Sequence, residues 1–117
     1  MNEIALHARE GKDMIIRVTR AMAESRLADV PQEKEFWVMD GKVLKNLKGL
    51  QMALNDMSDD TFAYHCNESK KDFSRWVDEV TGDDKLGRDL QKAATRQEAA
   101  KAVATRIRWL ETKVTVR

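Results

Sequence analysis

The 117-residue chain has little of the material from which cross-links and metal sites are made. Cys66 is its one cysteine, and its two histidines are His7 and His65. An internal disulfide is therefore impossible, and a zinc cage of several cysteines is excluded. A site of His65, Cys66 and a carboxylate would place adjacent ligands about 100 degrees apart on a helix. We predict no metal and no cofactor.

Long hydrophobic runs and an excess of charge of one sign are also missing. The chain carries 21 Lys and Arg against 20 Asp and Glu, and this net charge of +1 gives no overall attraction for nucleic acid or anionic lipid. No apolar run approaches the about 20 residues that span a bilayer. Glu3, Arg9 and Glu10 interrupt the region where a signal peptide would be apolar. We expect a cytoplasmic protein without membrane contact.

Proline and glycine occur once and five times, too rarely for the many turns of a sandwich or barrel. Apolar residues recur instead every three or four positions, as on one face of a helix. The stripes are Ile4, Ala8, Gly11, Ile15, Val18 and Met22; Val43, Leu47, Leu50, Leu54 and Met57; and Ala100, Val103, Ile107, Leu110 and Val114. We predict one all-α domain over residues 1–117, an irregular bundle of four to six helices.

Residues 28–41 interrupt this helical pattern. Pro31 prevents a helix from continuing, and a short apolar run, Phe36 to Met39, ends in the turn pair Asp40–Gly41. We predict an extended connector that presses aromatic side chains into the core. A two-stranded hairpin is the alternative, but no second strand is evident in the sequence.

Several residues are typical of helix ends. Ser58 and Asn67 are predicted N-caps, Gly82 a left-handed helix end, and Asp83 or Asp84 the start of a short helix. Thr95 and Glu98 have the spacing of a capping box that begins the last helix.

The densest polar region runs from Tyr64 to Trp76, and no glycine-rich phosphate loop is present anywhere. On a continuous helix, His65, Ser69 and Asp72 would share a face with Trp76. In a hydrolytic triad, however, the base lies between the nucleophile and the orienting carboxylate, whereas here Ser69 would lie in the middle. We therefore interpret His65 as a histidine satisfied by a backbone carbonyl or a carboxylate, and we assign no catalytic residue.

The basic residues form two local groups. Lys42, Lys45 and Lys48 are predicted to form one ridge, and the last helix carries a second group. The members of that second group are Arg96, Lys101, Arg106, Arg108 and Lys113. Without a helix-turn-helix spacing, solvated helix faces are the preferred interpretation.

Aromatic residues and the cysteine are interpreted mainly as packing. Trp37, Trp76 and Trp109 are expected to anchor the core, but Trp109 lies off the apolar stripe of its helix, and its exposure would indicate a contact surface. Cys66 is expected to be a small buried filler of low reactivity.

The stretch from Phe36 to Leu90 contains the strings F-W-V-M-D-G, L-K-N-L-K-G-L, M-S-D-D-T-F-A-Y-H-C-N, D-F-S-R-W-V and G-D-D-K-L. It resembles a family of small uncharacterised archaeal and bacterial domains of unknown function. The features of that family are a D-G turn, a leucine-rich helix, an aromatic-His pair and a D-F-S-x-W element. The resemblance implies a helical accessory module and no catalytic residue. Gly87 stands where such a helix would carry a better helix former.

Three functions are therefore ordered by the sequence. The first is a non-enzymatic protein-interaction or accessory module, in which self-association is one option, with Tyr64, His65, Asp72, Trp76 and Trp109 as candidate contact residues. The second is a weak nucleic-acid-binding or regulatory protein that uses Lys42, Lys45, Lys48, Arg106 and Arg108. The third is an enzyme centred on His65 and Asp72.

Overall fold

The computed structural model describes residues 17–115, which form six α-helices and one small hairpin. The helices are α1 (Arg20–Leu27), α2 (Leu47–Asp56), α3 (Asp59–His65), α4 (Asp72–Trp76), α5 (Asp84–Lys92) and α6 (Arg96–Thr115). A 3-10 turn at Gln32–Lys34 precedes strand β1 (Phe36–Trp37), which pairs with β2 (Val43–Leu44). The predicted all-α bundle is confirmed. The part of the first predicted stripe from Ile4 to Ile15 lies outside the described residues.

The core lies where α2 and α1 pack against the long α6. Leu47, Leu50 and Leu54 of α2 are buried at this contact layer, as are Val103 and Leu110 of α6. Their spacing of three, four and seven residues is the reason both helices present a continuous apolar face. Within residues 17–115, no helix combines the length and the apolar composition needed to cross a bilayer.

The hairpin differs from the predicted extended connector. Phe36 pairs with Leu44 and Trp37 with Val43, so the second strand lies where the sequence pattern had placed the start of a helix. The Val38 amide donates to the Lys42 carbonyl, and Gly41 adopts a φ of 100°, which suits a three-residue hairpin loop. Val43 satisfies a helical spacing by coincidence, and α2 begins only after the N-cap Asn46.

Side-chain caps set most of the predicted helix ends. The Ser58 hydroxyl accepts the Thr61 amide, and the Thr95 hydroxyl accepts the Glu98 amide, both at 3.0 Å. The Glu98 carboxylate returns to the amide of Ala94 rather than that of Thr95. Asn67 is the exception to the predicted caps, because α4 begins five residues later, after Lys71.

A π-helical turn at Val77–Thr81 continues α4 and ends at Gly82, whose φ of 82° is the predicted left-handed conformation. The chain then reverses, and α5 packs closely on α4. The Ser74 hydroxyl donates to the Gly87 carbonyl at 2.7 Å across this contact. Gly87 therefore lies in a regular helix at a point of close approach, which explains a glycine where a better helix former was expected.

We expect Gly87→Ala to destabilise the fold, although alanine is better by about 1 kcal/mol in an open helix. A Cβ at this position would lie 3.2 Å from the Asp78 Cβ and 3.3 Å from the Ser74 carbonyl oxygen. Relieving both contacts shifts backbone and costs about 1–3 kcal/mol. Urea denaturation measures the difference, and a variant more stable than the parent chain would contradict the close approach.

Candidate functional site

His65, the last residue of α3, is the buried centre of the candidate site, with 4% of its surface exposed. Its Nε2 atom accepts the backbone N–H of Met39 at 3.0 Å. Its Nδ1 atom lies 3.0 Å from Oδ2 of Asp72. Since Nε2 is an acceptor, the proton of the neutral ring is on Nδ1 and is donated to the carboxylate. The imidazole thereby ties the hairpin to the start of α4.

Asp72 reaches His65 by a tight turn rather than by a continuous helix. Asn67 organises this turn, because its Oδ1 atom accepts the amides of Ser69 and Lys70 and the Ser69 hydroxyl. The face that would have aligned Ser69 with His65 and Asp72 therefore does not exist. Lys70 adds a cation to the site, with its Nζ atom 3.3 Å from Oδ2 of Asp72.

Aromatic rings enclose the imidazole. The ring centroids of Phe36, Tyr64 and Phe73 lie 5.2, 5.0 and 5.1 Å from that of His65. Trp76 is buried beside Phe36, and its indole N–H donates to the Lys34 carbonyl at 2.8 Å. Trp76 is thus the predicted core anchor, and it fixes the chain immediately before β1.

The outer side of the hairpin carries apolar residues in the open. Along β1 and its loop, the residues of intermediate or full burial, Phe36 and Val38, alternate with exposed ones, as expected for a strand with one packed face. Trp37 is 72% exposed, Met39 52% and, on the neighbouring α3, Tyr64 51%. We call Trp37, Met39 and Tyr64 the hairpin surface. The prediction that Trp37 anchors the core was wrong, because it occupies the outward position of this alternation.

The hairpin surface was missed although a signal for it exists in the sequence. An Asp-Gly pair between two short apolar runs is a strong indication of a hairpin. Here the second run, Val43–Leu44, is only two residues long, and it was absorbed into the helical stripe that follows.

The chemical capacity of the site follows from these bonds. Both ring nitrogens of His65 are engaged, and Ser69 and its neighbours are bonded within their own turn. Among residues 17–115, no group of three or more metal-ligating side chains comes together. The arrangement supports the interpretation of His65 as a hydrogen-bonded structural histidine, with the partners now identified as a carboxylate and a backbone amide.

Cys66 follows His65 and is partly buried beside α4. Burial raises the pKa of its thiol, and the Asp72 carboxylate acts in the same direction, against a hydrogen bond from the Phe73 backbone and the charges of Lys71 and Lys70, which lower it. Because the thiolate is the reactive form, a raised pKa leaves less of it at neutral pH. We expect alkylation by iodoacetamide at pH 7 to be several-fold slower than for the urea-unfolded chain.

The alkylation difference should narrow as the pH rises, because the folded thiol then ionises as well. Mass spectrometry of timed samples at pH 7 and pH 9 checks both statements. Equal rates for the folded and unfolded chains at pH 7 would contradict a protected thiol.

The structure separates the predicted basic residues. Lys42 and Lys45 lie in the hairpin segment before α2, so they do not share a helical ridge with Lys48. Arg106 is withdrawn from any basic face, because its guanidinium forms two bonds with Asp83, at 2.8 and 3.0 Å. Arg108 lies exposed on α6. The idea of a continuous basic patch through these residues was therefore wrong.

Asp83 is the most deeply buried charge described, with none of its surface exposed. Besides binding Arg106, it accepts the Leu86 amide as the N-cap of α5, and Arg26 of α1 lies 3.9 Å away. One carboxylate therefore joins α1, α5 and α6. The sequence indicated only the cap, since nothing in its spacing shows which arginines reach this position.

Trp109 lies on α6 with 39% of its surface exposed, away from the buried stripe. The Arg106 guanidinium and the Lys113 ammonium lie 4.6 and 4.8 Å from its ring centroid. This exposure agrees with the expectation that Trp109 lies off the apolar stripe.

Comparison of the chain with protein-family models, with curated proteins and with solved structures finds no match. The resemblance to a family of uncharacterised helical domains thus stays a prediction. The functional argument rests on the geometry of the chain itself.

Proposed function

We propose that the chain is a non-enzymatic protein-interaction module that buries its hairpin surface against a partner protein, which is either another copy or a different chain. The observation that carries this proposal is Trp37, a large aromatic side chain that is 72% exposed on a two-residue strand. Tryptophan and tyrosine are enriched among the residues that contribute most to binding at protein interfaces.

The supporting residues hold this surface in place. Phe36, at the inward position of β1, packs on His65 and Phe73. The Met39 amide is bonded to His65, and the chain before β1 is bonded to Trp76. In this proposal, the candidate residues divide into Tyr64, which contacts the partner, and three residues that position the surface from below: His65, Asp72 and Trp76.

Site-specific photocross-linking tests the proposal. We expect p-benzoylphenylalanine at position 37 to give a discrete cross-linked species in cells, while the same group at Met52, an exposed apolar position on α2, gives none. A species of twice the chain mass identifies another copy, which light scattering of the purified protein should then show as a concentration-dependent dimer. Tyr64→Ser should remove the species. The same products from both positions, or none from position 37, would contradict the proposal.

A second candidate is binding of single-stranded nucleic acid by the same surface. It is favoured by Lys70, whose Nζ atom lies 4.1 Å from the Tyr64 ring centroid, because exposed rings beside cations can stack bases and neutralise phosphates. Fluorescence anisotropy with single-stranded DNA and RNA at two salt concentrations tests it. We expect Tyr64→Ala to weaken such binding about tenfold. Absence of salt-dependent binding would exclude this candidate.

A further inference from the structure

A groove of about 590 Å³ runs between α5 and α6, on different elements from the hairpin surface. Its floor is formed by Ala102, Thr105 and Trp109, which follow one another along α6 at spacings of three and four residues. Small residues beside a large ring allow a rod-like occupant to approach the helix closely at one end and to cover the indole at the other. The two helices are joined by a short connection, Ala93–Thr95, so they form a pair on which a third helix can pack.

The charges around the groove are not balanced. Its acidic residues are already engaged, since Asp89 binds the Lys85 ammonium at 2.6 Å and Glu98 accepts the Ala94 amide at 2.7 Å. Among residues 17–115, Lys101 and Lys113 have no carboxylate within ion-pair distance. The free charge at the groove is therefore positive.

From this apolar floor and basic rim, we infer that the α5–α6 groove binds an acidic amphipathic helix of a partner protein. The apolar stripe of that helix covers Ala102, Thr105 and Trp109, and its carboxylates meet Lys101 and Lys113. The distance from Glu98 to Trp109 along α6 is about 17 Å, which matches about three turns of a bound helix. This groove is independent of the proposed hairpin surface, so either can fail without the other.

A synthetic helical peptide with a leucine stripe flanked by glutamates is the probe, and the same peptide with lysines in place of the glutamates is its control. We expect the acidic peptide to bind at least about tenfold more tightly, a difference of about 1.4 kcal/mol. In nitrogen-15 spectra of the full chain, the amide signals of Ala102, Thr105 and Trp109 should shift first. Trp109→Ala should weaken binding about tenfold or more.

Two further variants make the test decisive. The double substitution Lys101→Glu/Lys113→Glu changes only the rim and should favour the lysine peptide over the acidic one. Trp37→Ala should bind the acidic peptide as the parent chain does, which separates the groove from the hairpin surface. Equal affinity for both peptides, or no shifts in the groove, would overturn the inference. Groove signals that move on dilution of the protein alone would assign the groove to another copy instead.

Discussion

Replacing Asp83 by alanine is expected to lower the free energy of unfolding by about 3–5 kcal/mol. The substitution leaves the Arg106 guanidinium in the interior without its carboxylate, because that side chain is only 10% exposed. It also removes the cap that accepts the Leu86 amide. A domain of this size has about 5–15 kcal/mol in total, so the loss is a large fraction. Guanidinium denaturation followed by circular dichroism measures it.

Asp84→Ala is the matched control for this experiment. Asp84 is the next residue in the chain and pairs with Arg88 at 3.6 Å, but both side chains are at least half exposed. Exposed pairs of this kind contribute less than about 1 kcal/mol. Should Asp83→Ala be too unstable to purify, Arg106→Ala interrupts the same ion pair from the exposed side of α6. Similar values for Asp83→Ala and Asp84→Ala would show that the buried carboxylate does not hold the three helices together.

His65→Ala should cost about 3 kcal/mol, and its effect should be concentrated in the hairpin. The substitution removes a ring packed against Phe36 and Phe73, and it leaves the Met39 amide without its acceptor. In the parent chain, hydrogen exchange at the Met39 amide should be slow although that residue is exposed. In the variant, the same amide should exchange at least about tenfold faster, which nitrogen-15 spectra can follow.

Two substitutions test whether this effect is specific. Asp72→Asn keeps an oxygen that can accept the Nδ1 proton of His65, so we expect a cost of only about 1 kcal/mol. Tyr64→Ala removes a neighbouring ring that is half exposed, and it should leave the Met39 amide protected. Long-range nitrogen-proton spectra of the parent chain should report the proton on Nδ1. A proton on Nε2 of the neutral ring would contradict the bond from Met39.

Sequence reasoning recovered the helices because their ends and their buried faces are encoded locally. Ser58 and Gly82 act within one turn of themselves, and the stripe from Ala100 to Leu110 needs only the helical period. The hairpin was not recovered, because two-residue strands are too short for their alternation to compete with a strong helical stripe that follows them.

The candidate site was recovered in its members but not in its geometry. His65 and Asp72 do meet, yet they do so across a turn built by Asn67 rather than along a helix. The bond from Met39 to His65 joins residues 26 positions apart, and the bond from Trp76 to Lys34 joins residues 42 apart. Such pairings depend on how whole elements pack, which no local pattern contains. The same holds for the choice of Arg106 as the partner of Asp83.

The position of Arg106 has a consequence for any molecule that occupies the groove. One face of its guanidinium region is committed to Asp83 in the interior, while the group also lies over the Trp109 ring. A ligand resting on Trp109 would therefore press on a side chain that is itself part of the internal framework. Occupancy outside and cohesion inside become linked quantities, so that a saturating ligand at a hundred times its Kd should raise the unfolding free energy by about 2.7 kcal/mol.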